Sequence, residues 1–151
     1  YRLATVLVEL GRADEAVVRY KQGIAVDATY EPEGPLALAA LLEQMGDLGG
    51  AVEWWGKVLE IEPDNKPVRI SLGGVLAKQN RMGEAIVEYQ KALALGPRDI
   101  GLLNTLGIAL AGEGRSDESI EMFKQALEIN PNDAMSRHNL DFVQNSRAVE
   151  E

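Results

Sequence analysis

Residues 100–133 read IGLLNTLGIALAGEGRSDESIEMFKQALEINPND. Apolar side chains fall at three-and-four spacing twice, as Leu103, Leu106 and Leu110 and then as Ile120, Phe123 and Leu127. That period puts each set on one face of a helix. Gly114 stands between the sets and Pro131 follows the second. Glycine readily takes the left-handed conformation that ends a helix, and proline cannot continue one. The stretch therefore predicts two short amphipathic helices folded back on one another.

The same pattern extends upstream. Pro63, Pro97 and Pro131 recur at intervals of 34 residues, and so do Leu38, Leu72, Leu106 and Leu140. A third ladder is aromatic: Tyr20, Trp55, Tyr89 and Phe123, each with a small residue four positions earlier, Ala16, Ala51, Ala85 and Ser119. Its first interval is one residue longer, and the extra residue falls around Asp27 to Pro32, where a loop absorbs an insertion at little cost. Self-similarity at a fixed period of this length marks a repeat architecture. Gly11, Gly46 and Gly114 end first helices and Asn80 does so in the third unit, while Pro35 and Pro67 suit first helical turns. A small residue in each first helix, Ala4, Ala39, Gly73 and Gly107, allows the second helix to approach closely with its aromatic alongside.

In spacing and residue type the units resemble the tetratricopeptide repeat family. The fourth carries the pattern most fully, as Leu103, Leu106-Gly107, Leu110, Gly114, Ser119, Phe123, Ala126 and Pro131, with Leu110 in place of the family's tyrosine and Ser119 in place of an alanine. The third has Leu72-Gly73, Leu76, Ala85, Tyr89, Ala92 and Pro97; the second has Leu38-Ala39, Leu42, Gly46, Ala51, Trp55, Val58 and Pro63. The first keeps Leu3-Ala4, Leu7, Gly11, Ala16, Tyr20 and Gly23, so the resemblance covers residues 1–133. It implies an all-α fold, an α-solenoid of antiparallel helical hairpins wound as a right-handed superhelix. The expected single domain, 1–151, divides into a truncated repeat 1–31, repeats 32–65, 66–99 and 100–133, and a capping helix 134–147.

Asp141 supports the cap. It falls where earlier units carry the buried small residue, and an unpaired carboxylate buried there would cost several kcal/mol, so no second helix is expected to cover it. At the other end the pattern opens at Tyr1 in mid-repeat without a cap, which reads as a piece of a longer protein.

Composition narrows the functional classes. The chain has 15 basic and 24 acidic residues, a net charge of −9, and no cysteine. A negative field repels phosphate backbones, so nucleic acid is not an expected partner. No apolar run approaches the roughly 20 residues that span a bilayer, so no membrane insertion is expected; the chain reads as soluble, cytoplasmic or periplasmic. His138 is the only histidine, which leaves no recognisable catalytic set or metal cluster. Gly49-Gly50 and Gly73-Gly74 lack the strand, lysine and hydroxyl of a phosphate loop, so no cofactor is expected and the reading is non-enzymatic. Gly49, Gly50 and Gly56 together predict a weak second helix in the second unit.

The resemblance further implies that first helices line a concave groove that holds a partner. By helix phase the groove takes Leu36, Ala37 and Ala40 from the second unit and Ile70, Ser71, Gly74 and Ala77 from the third. The fourth adds Asn104, Thr105 and Ile108, and the capping helix adds His138 and Asn139. Leu36, Ile70 and Ile108 are the apolar anchors, and Asn104, Thr105 and Asn139 supply hydrogen bonds. The expected function is a scaffold or adaptor that binds an amphipathic segment of another protein. The alternatives are a self-assembling module, a homo-oligomer joined through Leu3, Val6 and Leu7 of the uncapped first repeat, and the recognition arm of a larger enzyme. Chaperone-tail binders of the family clamp a carboxylate with lysine, asparagine and arginine, whereas this strip has Ala37, Ala40, Pro67 and Ser71. Members fused to sugar transferases carry an asparagine ladder, but the matching row here is Arg2, Ala37, Ser71, Thr105 and Asn139. Trp54 falls on the opposite, convex side, either as a contact or with its ring laid over the neighbouring repeat.

Overall fold

The computed structural model describes residues 1–26 and 31–150, so most of the expected insertion point lies outside the described residues. Four helical hairpins follow one another: α1 (Arg2–Glu9) with α2 (Ala13–Val26), α3 (Glu33–Met45) with α4 (Leu48–Ile61), α5 (Lys66–Lys78) with α6 (Met82–Ala94), and α7 (Ile100–Gly112) with α8 (Ser116–Ile129). A single helix, α9 (Ala134–Glu150), packs on α8 and α7. Each second helix packs on its own first helix and on the first helix of the next unit, which makes the fold an all-α solenoid. The helix α9 runs three residues past the expected 147, since no glycine or proline stands in the closing Arg147–Glu151 to stop it.

The turns inside the hairpins are built alike. Gly11, Gly46, Asn80 and Gly114 all have positive φ, between 62° and 82°. The next residue in each case donates its amide back to a leucine carbonyl: Arg12 to Leu7, Asp47 to Leu42, Arg81 to Leu76 and Arg115 to Leu110, at 2.8–3.0 Å. This six-to-one bond closes a left-handed helix cap and satisfies a carbonyl the helix leaves open. Asparagine serves in the third hairpin because it tolerates this conformation better than other residues with a side chain.

Close approach of the paired helices follows the small-residue ladders. Ala4, Ala39, Ala16, Ala51, Ala85 and Ser119 are fully buried. A Cβ placed on Gly73 would lie 2.6 Å from Cε1 of Tyr89, and one on Gly107 would lie 2.5 Å from Cε1 of Phe123. No real Cβ sits that close to a ring carbon, so the aromatic occupies the space a side chain would need. The Ser119 hydroxyl donates to the Gly107 carbonyl at 2.7 Å, which explains how a polar residue fits the alanine position. Asp141, in register with these small residues, is exposed. Leu3 and Val6 are exposed as well, although their register mates Leu38 and Leu41 are buried, whereas Leu7, expected beside them on the open surface, is buried in the core.

Candidate functional site: the strip of first helices

The later first helices α5, α7 and α9 begin on a recurring cap, which α1 and α3 lack. Asn65, Asp99 and Asp133 accept amide hydrogens from Val68, Leu102 and Ser136 through their side chains at 2.8–3.1 Å. Each cap satisfies an open donor of the first turn and fixes where the helix starts. By the 34-residue register the helices α3, α5, α7 and α9 present equivalent positions, with Ala37, Ser71, Thr105 and Asn139 in one row.

Most of the residues expected in the groove reach the surface of this strip. Ala40, Thr105, Ile108 and His138 are exposed, and Leu36, Ala37, Ile70, Ser71, Gly74, Ala77 and Asn139 are half-buried. Ile108 is 53% exposed, and Phe142, the next residue in the same row, is 65% exposed. They stand at equivalent register positions of α7 and α9, which pack on each other.

Asn104 behaves otherwise. Only 3% of it is exposed, and its amide is committed inside the protein. Its carbonyl lies 3.0 Å from the Ser136 hydroxyl, and its nitrogen donates to Asp133 at 3.4 Å. Asn104 therefore ties α7 to the start of α9, and its burial keeps the amide away from a ligand on the strip. The hydroxyl and amide of Ser136, and more weakly Asn104, hold the Asp133 carboxyl below the usual carboxylate range. Thr105 spends its proton on the Gly101 carbonyl at 2.9 Å. Asn139 differs from both, with an amide nitrogen that is buried and has no hydrogen-bond partner.

The sequence reading did not anticipate a cross-strip ion pair. Lys78 of α5 donates to Glu43 of α3 at 2.8 Å, so two charges of the strip neutralise each other. The two residues are 35 apart rather than 34, so the pair crosses between register rows and the ladders do not reveal it. Trp54, on the other side, is half-buried against the core, with the Lys57 ammonium 3.8 Å from its ring centroid. That geometry covers the ring within the protein by a cation–π contact.

Among the described residues, no group of three histidine or carboxylate side chains is placed to hold a metal ion, and no helix is long and apolar enough to cross a membrane. A recess of about 630 Å³ opens away from the strip, between α6 and α8. Its floor is Leu93, Leu106, Leu110 and Met122, and its rim includes Gln90 and Gln125. Arg98, Asp117, Glu118 and Glu121 also line it.

Comparison with known proteins agrees with this architecture. Two tetratricopeptide repeat models match the sequence, one over residues 36–100 and the other over residues 76–138. No curated protein matches in sequence. Among solved structures, residues 41 to the end of MamA from Desulfovibrio magneticus RS-1 are 23% identical, with a TM-score of 0.80 over 97% of this chain and 82% of that one. YrrB, described as a repeat protein of this kind with an unusual peptide-binding site, is 21% identical, with a TM-score of 0.81 over 97% of this chain and 75% of that one. A tetratricopeptide repeat protein from Parabacteroides merdae ATCC 43184 is 15% identical and superposes with a TM-score of 0.87 over 97% of this chain and 58% of that one.

Proposed function

The chain belongs to the tetratricopeptide repeat family, and on that premise we propose that it is a non-catalytic adaptor whose first-helix strip receives a segment of another protein. The observation that carries this reading is the exposure of Ile108 and Phe142 at equivalent positions of α7 and α9, with Leu36 and Ile70 half-buried at equivalent positions of α3 and α5. Exposed apolar side chains grouped on one face mark an interaction surface, whereas scattered ones do not. The peptide-binding site named for YrrB lends support by fold alone.

A pull-down with a tagged chain tests the reading. Leu36→Glu with Ile70→Glu is expected to abolish partner capture while far-UV circular dichroism stays unchanged; because both residues are half-buried, Ile108→Glu serves as the variant least able to disturb folding. Unchanged capture by all of these removes the strip from consideration. A differently tagged copy enters the same experiment, and its capture, lost on Leu3→Glu, is the outcome that self-assembly through α1 requires.

A further inference from the structure

We infer that the segment received by the strip lays a main-chain carbonyl over Gly74, where it accepts the proton of the Tyr89 hydroxyl; this rests on the strip being the docking face. Tyr89 belongs to the buried aromatic ladder and is only 5% exposed. Its ring runs past Gly73, with Cε1 2.6 Å and Cζ 3.1 Å from where a Cβ would stand, and its hydroxyl ends beside Gly74. A Cβ on Gly74 would lie 3.9 Å from that hydroxyl, the only atom of another helix within 4 Å. The half-buried glycine therefore leaves a window in α5 with the hydroxyl at its inner edge. Among the described residues that hydroxyl has no hydrogen-bond partner, and burial alone pushes its pKa up, so it keeps its proton at neutral pH.

The other rungs of the ladder are built differently. Tyr20 also carries a hydroxyl, and Thr5, the register mate of Gly74 in the first hairpin, meets it at 3.2 Å. In the second hairpin the rung is Trp55, whose indole nitrogen is buried from solvent. In the fourth it is Phe123, which has nothing to bond, and the register position of Gly74 holds Ile108. The third hairpin combines a ring hydroxyl with a bare position above it. Two local costs meet there: a largely buried hydroxyl left unbonded, and a glycine inside a helix. Packing offsets neither, since Phe123 fills the same space without a hydroxyl. An acceptor arriving from outside removes the first cost and uses the room left by the second. The missing Cβ lets a partner's backbone come close, which favours a main-chain carbonyl. Carbonyls inside a helix already accept from their own amides, so the segment is not helical where it crosses Gly74.

The test pans a phage-displayed library of random linear peptides on the intact chain; the tightest peptide is synthesised and its binding read by fluorescence anisotropy. Tyr89→Phe is expected to weaken it about three- to tenfold, the worth of one neutral hydrogen bond, while the thermal midpoint of the variant stays at or above that of the native chain. Gly74→Leu, which covers the hydroxyl, and Ile108→Glu should weaken it further. Ester replacement of the peptide's amides, one at a time, weakens single carbonyls as acceptors. One such ester should weaken binding to the native chain but not to Tyr89→Phe. Equal binding by the native chain and Tyr89→Phe, with Ile108→Glu weakened, overturns the inference and leaves the strip as the docking face. Loss on Tyr89→Phe with no ester coupled to it gives the proton to a side chain of the peptide and overturns the main-chain carbonyl. A fall in the thermal midpoint of Tyr89→Phe makes the hydroxyl a structural group and overturns the inference as well. Binding that ignores all three substitutions overturns both the inference and the strip. A library that yields no binder overturns the inference and leaves the pull-down to judge the strip.

Discussion

The third and fourth hairpins have the same length and register but fill matching positions differently. Gly73 lies under Tyr89 and Gly107 under Phe123, so the close approach of the paired helices is common to both. Beside that contact the hairpins diverge. In the third, Arg69 of α5 meets Glu88 of α6 at 2.7 Å, and Glu88 also receives Lys91. In the fourth, the same two positions hold Leu103, fully buried, and Met122. On the strip, the position held by Gly74 in the third is held by Ile108 in the fourth. One backbone thus tolerates an ion pair or an apolar pair, and a bare or a bulky surface, provided the glycine under the aromatic is kept. The inner contact sets the fold, and the outer positions are free to set the partner.

The largest expected effect attacks what the hairpins share. Gly107→Val places methyl groups where the Phe123 ring already sits, and with that ring buried on all sides it has nowhere to move. Overpacking of this kind should cost about 3 kcal/mol, measured as a fall in the urea midpoint at constant m-value. Gly73→Val should cost a similar amount against Tyr89. A loss below about 1 kcal/mol at either position would mean that the close approach is not what fixes the hairpin.

Next in size is a substitution that exchanges what differs. Arg69→Leu alone removes one partner of a half-buried pair and the donor that reaches the Pro63 carbonyl, leaving Glu88 with Lys91 only. About 1–2 kcal/mol of stability should be lost. Adding Glu88→Met reproduces the apolar pair of the fourth hairpin, and the double variant is expected to regain most of the loss, because replacing a desolvated ion pair by matched apolar side chains is commonly neutral. A double-mutant cycle in urea measures this coupling. Simple additivity would show that the ion pair is not exchangeable with the apolar one.

These contrasts also explain what could be read from sequence. The turn residues Gly11, Gly46, Asn80 and Gly114 were legible because few residues accept positive φ, and the close approach was legible because small and aromatic residues recur in phase. Asn104 was not. Its register mates Leu36 and Ile70 are apolar and lie at the surface of the strip, so phase alone placed its amide outward. The available signal was Ser136, which stands where α5 and α7 have Val68 and Leu102 and leaves a polar vacancy that Asn104 turns in to fill. Phase likewise put Trp54 on the outside but could not show Lys57, one turn further on, lying over its ring. Register gives the face of a helix; which of two neighbours takes a given space depends on side-chain volumes across the interface.

The smallest expected effect separates adjacent glycines. Gly74→Ala introduces a methyl group that meets only the Tyr89 hydroxyl, at 3.9 Å, and should stabilise the chain by about 0.5–1 kcal/mol through helix propensity. Gly73→Ala, one residue earlier, gains the same propensity but drives its methyl into the Tyr89 ring at 2.6 Å, and should be destabilising on balance. Opposite signs from the same chemical change, read as opposite shifts in thermal midpoint, would show that one glycine belongs to the fold and the other does not. Shifts of the same sign would end that distinction. If Gly74→Ala stabilises the chain and also weakens partner capture, then stability has been given up at this position to leave the surface bare, which is the exchange expected at a binding face and nowhere else along α5.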